Sequence, residues 1–198
     1  MRQIVPSIFT WPWFSEPHRY NFNGYLVCDA RGNVCIDPVQ PDDTTLAEIA
    51  ETGAARVILT NRNHLRAAHV VRTRTGAPIA IHPSDAAYVR SQGTEVDADL
   101  QIGEHIGPLV VVGVPGKSPG EVALHWPERR LLVVGDALIG NPPGRCSLLP
   151  ERVMDDAPGL RASVRRLLEL DFDVLLVGDG ESILQGAKAQ VRALVESW

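Results

Sequence analysis

A chain of 198 residues, 44% hydrophobic and 22% charged, carries enough apolar side chain for one substantial core, and a single domain over 1–198 is expected. Its net charge of −5 argues against a nucleic-acid or anionic-membrane footprint, which needs a clustered basic face. No apolar run approaches membrane-span length and the first residues lack a leader's apolar core, so a soluble, cytoplasmic protein is expected.

In chain order, Ile4 to Phe14 reads as an apolar edge strand running into Trp11-Pro12-Trp13-Phe14. Phe22 to Asp29 and Val34 to Asp37 form a hairpin about Asp29-Ala30-Arg31-Gly32, where Asp first and Gly fourth suit a type I turn. Its cysteines, Cys28 and Cys35, face different sides of the hairpin, and with Cys146 they make an odd set without Cys-x-x-Cys spacing. Free thiols are expected. Asp42 to Thr52 is a helix with a capping-box spacing from Thr45 to Glu48, ended by Gly53. Arg56 to Leu59 is a β-branched-rich strand, followed by a polar cluster and a helical pattern over Leu65 to Thr75. A strand at Pro78 to Ile81 and a helix from Ser84, as N-cap, to Ser91 come next. A short strand near Leu100 to Ile102 precedes the apolar strand Leu109 to Val114. Glu121 to Trp126 and Leu131 to Val134 make a second hairpin. The Gly140 to Pro150 loop is irregular. Asp156 to Leu170 is an amphipathic helix, Val174 to Val177 a buried strand, and Ser182 to Glu196 the last helix. A hairpin, then helix-strand-helix, then strands and a hairpin, then helix-strand-helix predict an α/β (α+β) fold of two facing sheets with helices outside, a four-layer αββα sandwich.

Four polar motifs each follow an apolar strand, which is where open α/β sheets place their chemistry. They are Thr60-Asn61-Arg62-Asn63-His64-Leu65-Arg66, Gly116-Lys117-Ser118-Pro119-Gly120, Gly135-Asp136-Ala137-Leu138 and Gly178-Asp179-Gly180. In order, spacing and preceding strands they resemble the metallo-β-lactamase-fold superfamily, and the resemblance covers Asn23 to the last helix. The turn Gly76-Ala77-Pro78 and the stretch His82-Pro83-Ser84-Asp85-Ala86 also resemble it. The resemblance implies an αββα hydrolase fold with two zinc ions held by Thr-His-x-His-x-Asp-His, Gly-His-(Ser/Thr)-Pro-Gly, Gly-Asp-x-Leu and Gly-His.

At the matching positions this chain has Asn61, Asn63, Leu65 and Arg66 for three histidines and an aspartate, Lys117 for the second motif's histidine and Asp179 for the fourth's. Only Asp136, at the place of the bridging aspartate, is kept. A protonated guanidinium or ammonium has no lone pair for a metal. No metal ligand and no cofactor are therefore expected, zinc included. His64 and His69, off the family's register, are expected to be surface or supporting histidines on the following helix.

The expected pocket comprises Asn61, Asn63, Arg66, Lys117, Asp136 and Asp179, walled by Trp11 to Phe14 and by Gly140 to Pro150. Two bases facing two acids suggest an ionic network in place of the binuclear centre. The first functional reading is a pseudoenzyme or small-molecule-binding protein without metal-dependent hydrolysis. The second is a metal-independent or single-metal hydrolase of esters, lactones or thioesters, with Lys117, Asp136 and Asp179 as candidate catalytic groups. A third is a structural or partner-binding role through Trp11 to Phe14. Magnesium or calcium at Asp136, Asp179, Asn61 and Asn63 is a lesser alternative.

Overall fold

Apolar runs with no polar alternation become strands covered on both faces. The computed structural model describes residues 1–198. Strands β1 (Arg2–Val5), β2 (Ile8–Ser15), β3 (Tyr20–Val27), β4 (Val34–Ile36), β5 (Arg56–Ile58), β6 (Ile79–Ile81) and β7 (Ala98–Asp99) form one sheet in that order, antiparallel up to β4 and parallel beyond it. The second sheet runs β12 (Val174–Val177), β11 (Leu131–Val134), β10 (Val122–Trp126), β9 (Leu109–Gly113), β8 (His105–Ile106), with β11 and β12 parallel. Helices α1 (Asp43–Thr52), α2 (Ala68–Thr75) and α3 (Pro83–Ser91) belong to the first half, α4 (Ala157–Leu167) and α5 (Ala187–Glu196) to the second.

Three apolar clusters separate four layers, and the alternation of side chains along each strand decides which cluster a residue joins. Ile58 packs between the sheets, whereas Val57 and Leu59 pack under the first-half helices. Likewise Leu131 and Val133 face the other sheet, and Leu132 and Val134 face α4 and α5. The αββα sandwich expected from the sequence is the fold observed.

Several local readings change. Residues 2–15 are not one edge strand but a hairpin turning at Pro6 and Ser7, with β2 paired on both sides. Helix α1 is capped by Asp42, whose carboxylate accepts from the Thr45 amide at 2.7 Å. Glu48 is instead paired with the chain's amino terminus. Helix α3 starts at Pro83 behind His82, and α2 starts only at Ala68. Residues 182–186 precede α5 rather than belonging to it, and the short strand lies at Ala98–Asp99. The three cysteines are free, as expected. No helix is long and apolar enough to cross a membrane.

Candidate functional site

The site forms where β4, β5, β9, β11 and β12 end. Backbone bonds tie the two sheets together there: Val122 N donates to Thr60 O at 2.8 Å, and Asn23 N to Gly178 O at 2.8 Å. The motif that follows β5 is a series of turns held by its own side chains. Asn61 Oδ1 accepts from the Asn63 amide at 2.8 Å, and the Arg62 amide donates to Asp85 at 3.0 Å. The buried Asp85 carboxylate also accepts from the Ser118 hydroxyl and from Gly120 N, so one side chain fixes the Asn63 and Lys117 loops against each other.

Five of the six expected pocket residues line one cavity of about 680 Å³: Asn63, Arg66, Lys117, Asp136 and Asp179. The four charges pair off one to one. Arg66 Nη2 donates to Asp179 Oδ1 at 2.7 Å, and Lys117 Nζ lies 3.2 Å from Asp136 Oδ2 while donating to Asn63 Oδ1 at 2.7 Å. The Arg66 guanidinium lies over the Phe22 ring at 4.1 Å. Its backbone adopts φ +22°, a conformation that side-chain-bearing residues hold only where their surroundings fix them.

Asn61 is the exception. It is fully buried and its amide nitrogen turns to Glu121, 3.4 Å away, behind the cavity. The walls also differ from expectation on one side. The Gly140 to Pro150 loop contributes Asn141, Ser147, Leu148, Leu149 and Pro150, but the facing wall is His18, Tyr20 and Phe22 rather than Trp11 to Phe14. Trp11 points inward and donates to Val39 O at 2.9 Å, while Trp13 lies against Phe22 with 5.9 Å between ring centroids.

His64 is neither exposed nor on the helix. It is wholly buried, with Nδ1 2.8 Å from Asp37 Oδ2 and Nε2 3.1 Å from Asp136 Oδ1. Thr60 donates its hydroxyl to the same Asp37 carboxylate at 2.6 Å. Burial and Arg66 oppose a charged imidazole, but the two carboxylates outweigh them and push its pKa up to about 10. His69, by contrast, is exposed on α2.

Around this imidazolium the acids diverge. Burial works against the charge of Asp136, yet His64, Lys117 and Arg66 hold it well below the usual carboxylate range. Burial lifts Asp179 above that range, with Arg66 offsetting part of the effect and Asp136 adding to it. Burial, with Asp136 adding to it, lifts the Glu121 carboxyl well above the usual carboxylate range, and its Oε2 is unpartnered. Burial and the nearby Asp179 and Asp136 lift the Tyr20 phenol to about 12.

A sequence profile of the metallo-beta-lactamase superfamily matches residues 2–198. The chain belongs to that superfamily. It is 30% identical over 128 residues to a hydroxyacylglutathione hydrolase of Cereibacter sphaeroides, an alignment that takes in 61% of this chain and 49% of the relative. The chain thus spans about half the length of the curated relatives it matches. Among solved structures, TTHA1623 in a di-iron-bound form is 28% identical with a TM-score of 0.68, covering 91% of this chain and 98% of that one. A metallo-beta-lactamase from Pontibacter korlensis has a TM-score of 0.79 at 15% identity, covering 100% and 98%, and shares the fold.

These findings correct the expectation of no metal ligand, no cofactor and no zinc. His64, Asp136 and Asp179 offer three ligand atoms within 4.8 Å of one another, a group that could hold a metal ion, and a relative of 28% identity is known in a di-iron form. The donor chemistry fits one ion: an imidazole and two carboxylates suit zinc or iron. A cation there would displace the Nε2 proton of His64 and compete with Lys117 and Arg66 for the carboxylates. A second ion would meet the amides of Asn61 and Asn63 and the aliphatic Leu65 in place of the family's ligands, and that set does not fit it. His64 was missed because the family's spacing assigns ligands to Asn61, Asn63 and Arg66. The acids that claim it, Asp37 and Asp136, lie 27 and 72 residues away in the chain, so no local signal pointed to it.

Proposed function

We propose that this chain is a small-molecule-binding protein that uses the superfamily's active-site pocket, with an ionic network standing where the binuclear centre would be. The observation that carries the reading is the one-to-one pairing of Lys117 with Asp136 and Arg66 with Asp179. Each base sits where the family pattern places a histidine, and each neutralises a carboxylate that would otherwise share a low-dielectric pocket with a like charge. A cavity of about 680 Å³ falls in the range of small-molecule sites, about 300–1,000 Å³.

A second reading is favoured by the His64, Asp136 and Asp179 group and by the hydrolase relative: a single-metal hydrolase of esters, lactones or thioesters. A cation there would polarise a bound carbonyl. The chain's own groups would do the rest. Lys117 would donate to the developing oxyanion, Asp37 would orient His64, and Leu148 and Leu149 would exclude water. A metal-independent hydrolase would keep the same residues without the cation.

The test has two arms. A fragment screen by ligand-observed NMR should find compounds that bind the wild-type chain and lose affinity in Lys117→Met. In parallel, ester, lactone and thioester hydrolysis should stay at the buffer rate. Turnover abolished by chelator and restored by metal would replace the binding reading with the single-metal enzyme. Turnover that survives chelator but vanishes in Lys117→Ala would point to the metal-independent one.

A further inference from the structure

We propose that the cavity takes a singly charged amphiphilic acid, a carboxylate on an apolar body, with its head group at Arg152; this rests on the small-molecule-binding reading above. Five ionised side chains line the cavity, Arg66, Lys117 and Arg152 against Asp136 and Asp179. Two of the cations are matched within it. Arg152 makes no ion pair. The acids beside it in sequence are committed elsewhere: Glu151 to Arg161 at 2.6 Å, and Asp155 to Arg62 at 2.6 Å. One positive charge is therefore left over at the mouth of a cleft with low-dielectric walls, which concentrates its field on an entering anion. A metal ion at His64, Asp136 and Asp179 would enlarge the surplus, so the sign holds for either reading of the site.

The rest of the lining sets the ligand's body. Ile139, Leu148, Leu149 and Val153 give the cavity aliphatic lining, and Tyr20 and Phe22 add aromatic lining. On the floor, the ammonium of Lys117 has three N–H groups, of which Asn63 and Asp136 occupy two. The third is free for a polar atom of the ligand.

Isothermal titration calorimetry of the full chain with octanoate and with octanamide tests this, because the two probes differ chiefly in charge. Octanoate is expected to bind at least about tenfold more tightly than octanamide, a difference of about 1.4 kcal/mol. Arg152→Ala should remove that preference, Arg152→Lys should restore most of it, and Arg192→Ala, an exposed arginine on α5, should leave it unchanged. Arg152 is exposed, so the variants should keep the wild-type melting temperature. Equal affinity for the two probes, or octanoate binding indifferent to Arg152→Ala, would overturn the charge assignment and leave the pocket-binding reading intact. Failure of both probes at millimolar concentration would also overturn it, and the broader reading falls only if the fragment screen is empty as well.

Discussion

Lys117→Met keeps the apolar stem and deletes the charge. Nζ lies 3.2 Å from Asp136 Oδ2 and the side chain is 8% exposed, so solvent screens the pair little. At that separation and an effective dielectric near 20 the attraction is about 5 kcal/mol. Desolvation of the ammonium offsets part of it, and removing one partner of a buried pair costs about 3–5 kcal/mol in general. Here Asp136 keeps a second cation, His64 Nε2 at 3.1 Å, so its charge is not stranded. A net loss of about 2–3 kcal/mol is expected. For a chain of this size that corresponds to a melting temperature lower by roughly 4–12 °C. Urea unfolding at neutral pH measures it, and a cycle with Asp136→Asn should return a coupling of about 1–3 kcal/mol. A Lys117→Met variant within about 0.5 kcal/mol of wild type would refute the buried pair.

Three further outcomes follow from the same geometry. The pKa of His64 rises on folding from 6.5 to about 10, so its contribution is complete below the first value and is lost as pH climbs through the second. Urea melts across that window should show stability declining with pH in wild type and a flatter profile in His64→Gln; equal slopes would count against the imidazolium. Gly178 packs on His64 so closely that an added Cβ would lie 2.6 Å from its Cε1. Gly178→Ala should cost about 1–3 kcal/mol, and much less in a His64→Ala background, where additive losses would contradict the contact. Burial lifts the Glu121 carboxyl well above its ordinary range and so favours the neutral form that Glu121→Gln mimics, and the substitution should change stability by less than about 1 kcal/mol. A larger loss in urea would mean that Glu121 is ionised in the fold.

The layered fold was legible because strands covered on both faces are written as unbroken apolar runs, Val57 to Leu59 and Leu131 to Val134 among them. The placement of the polar motifs follows from the same pattern: each comes after such a strand, which brings Asn63, Arg66, Lys117, Asp136 and Asp179 to one cavity. What could not be read was the layer behind them. His64 and Asp37 lie 27 residues apart in the chain, and only the parallel pairing of β4 with β5 brings their side chains together. Asn61 was misplaced for the converse reason: a polar residue after a strand turned inward because Glu121, from the other sheet, was there to accept it. The aromatic wall was displaced from Trp11–Phe14 to His18, Tyr20 and Phe22 because β2 carries Trp11 into the core.

On the function proposed above, side-chain cations occupy the pocket in which the superfamily pattern places two metal ions. A crystal structure of protein purified without chelator, with anomalous data collected at the zinc and iron edges, tests it most directly. The predicted result is Lys117 Nζ on Asp136, the Arg66 guanidinium on Asp179, and at most one metal ion, at His64, Asp136 and Asp179. Two metal ions bridged by Asp136, with Lys117 and Arg66 turned away from the carboxylates, would contradict it.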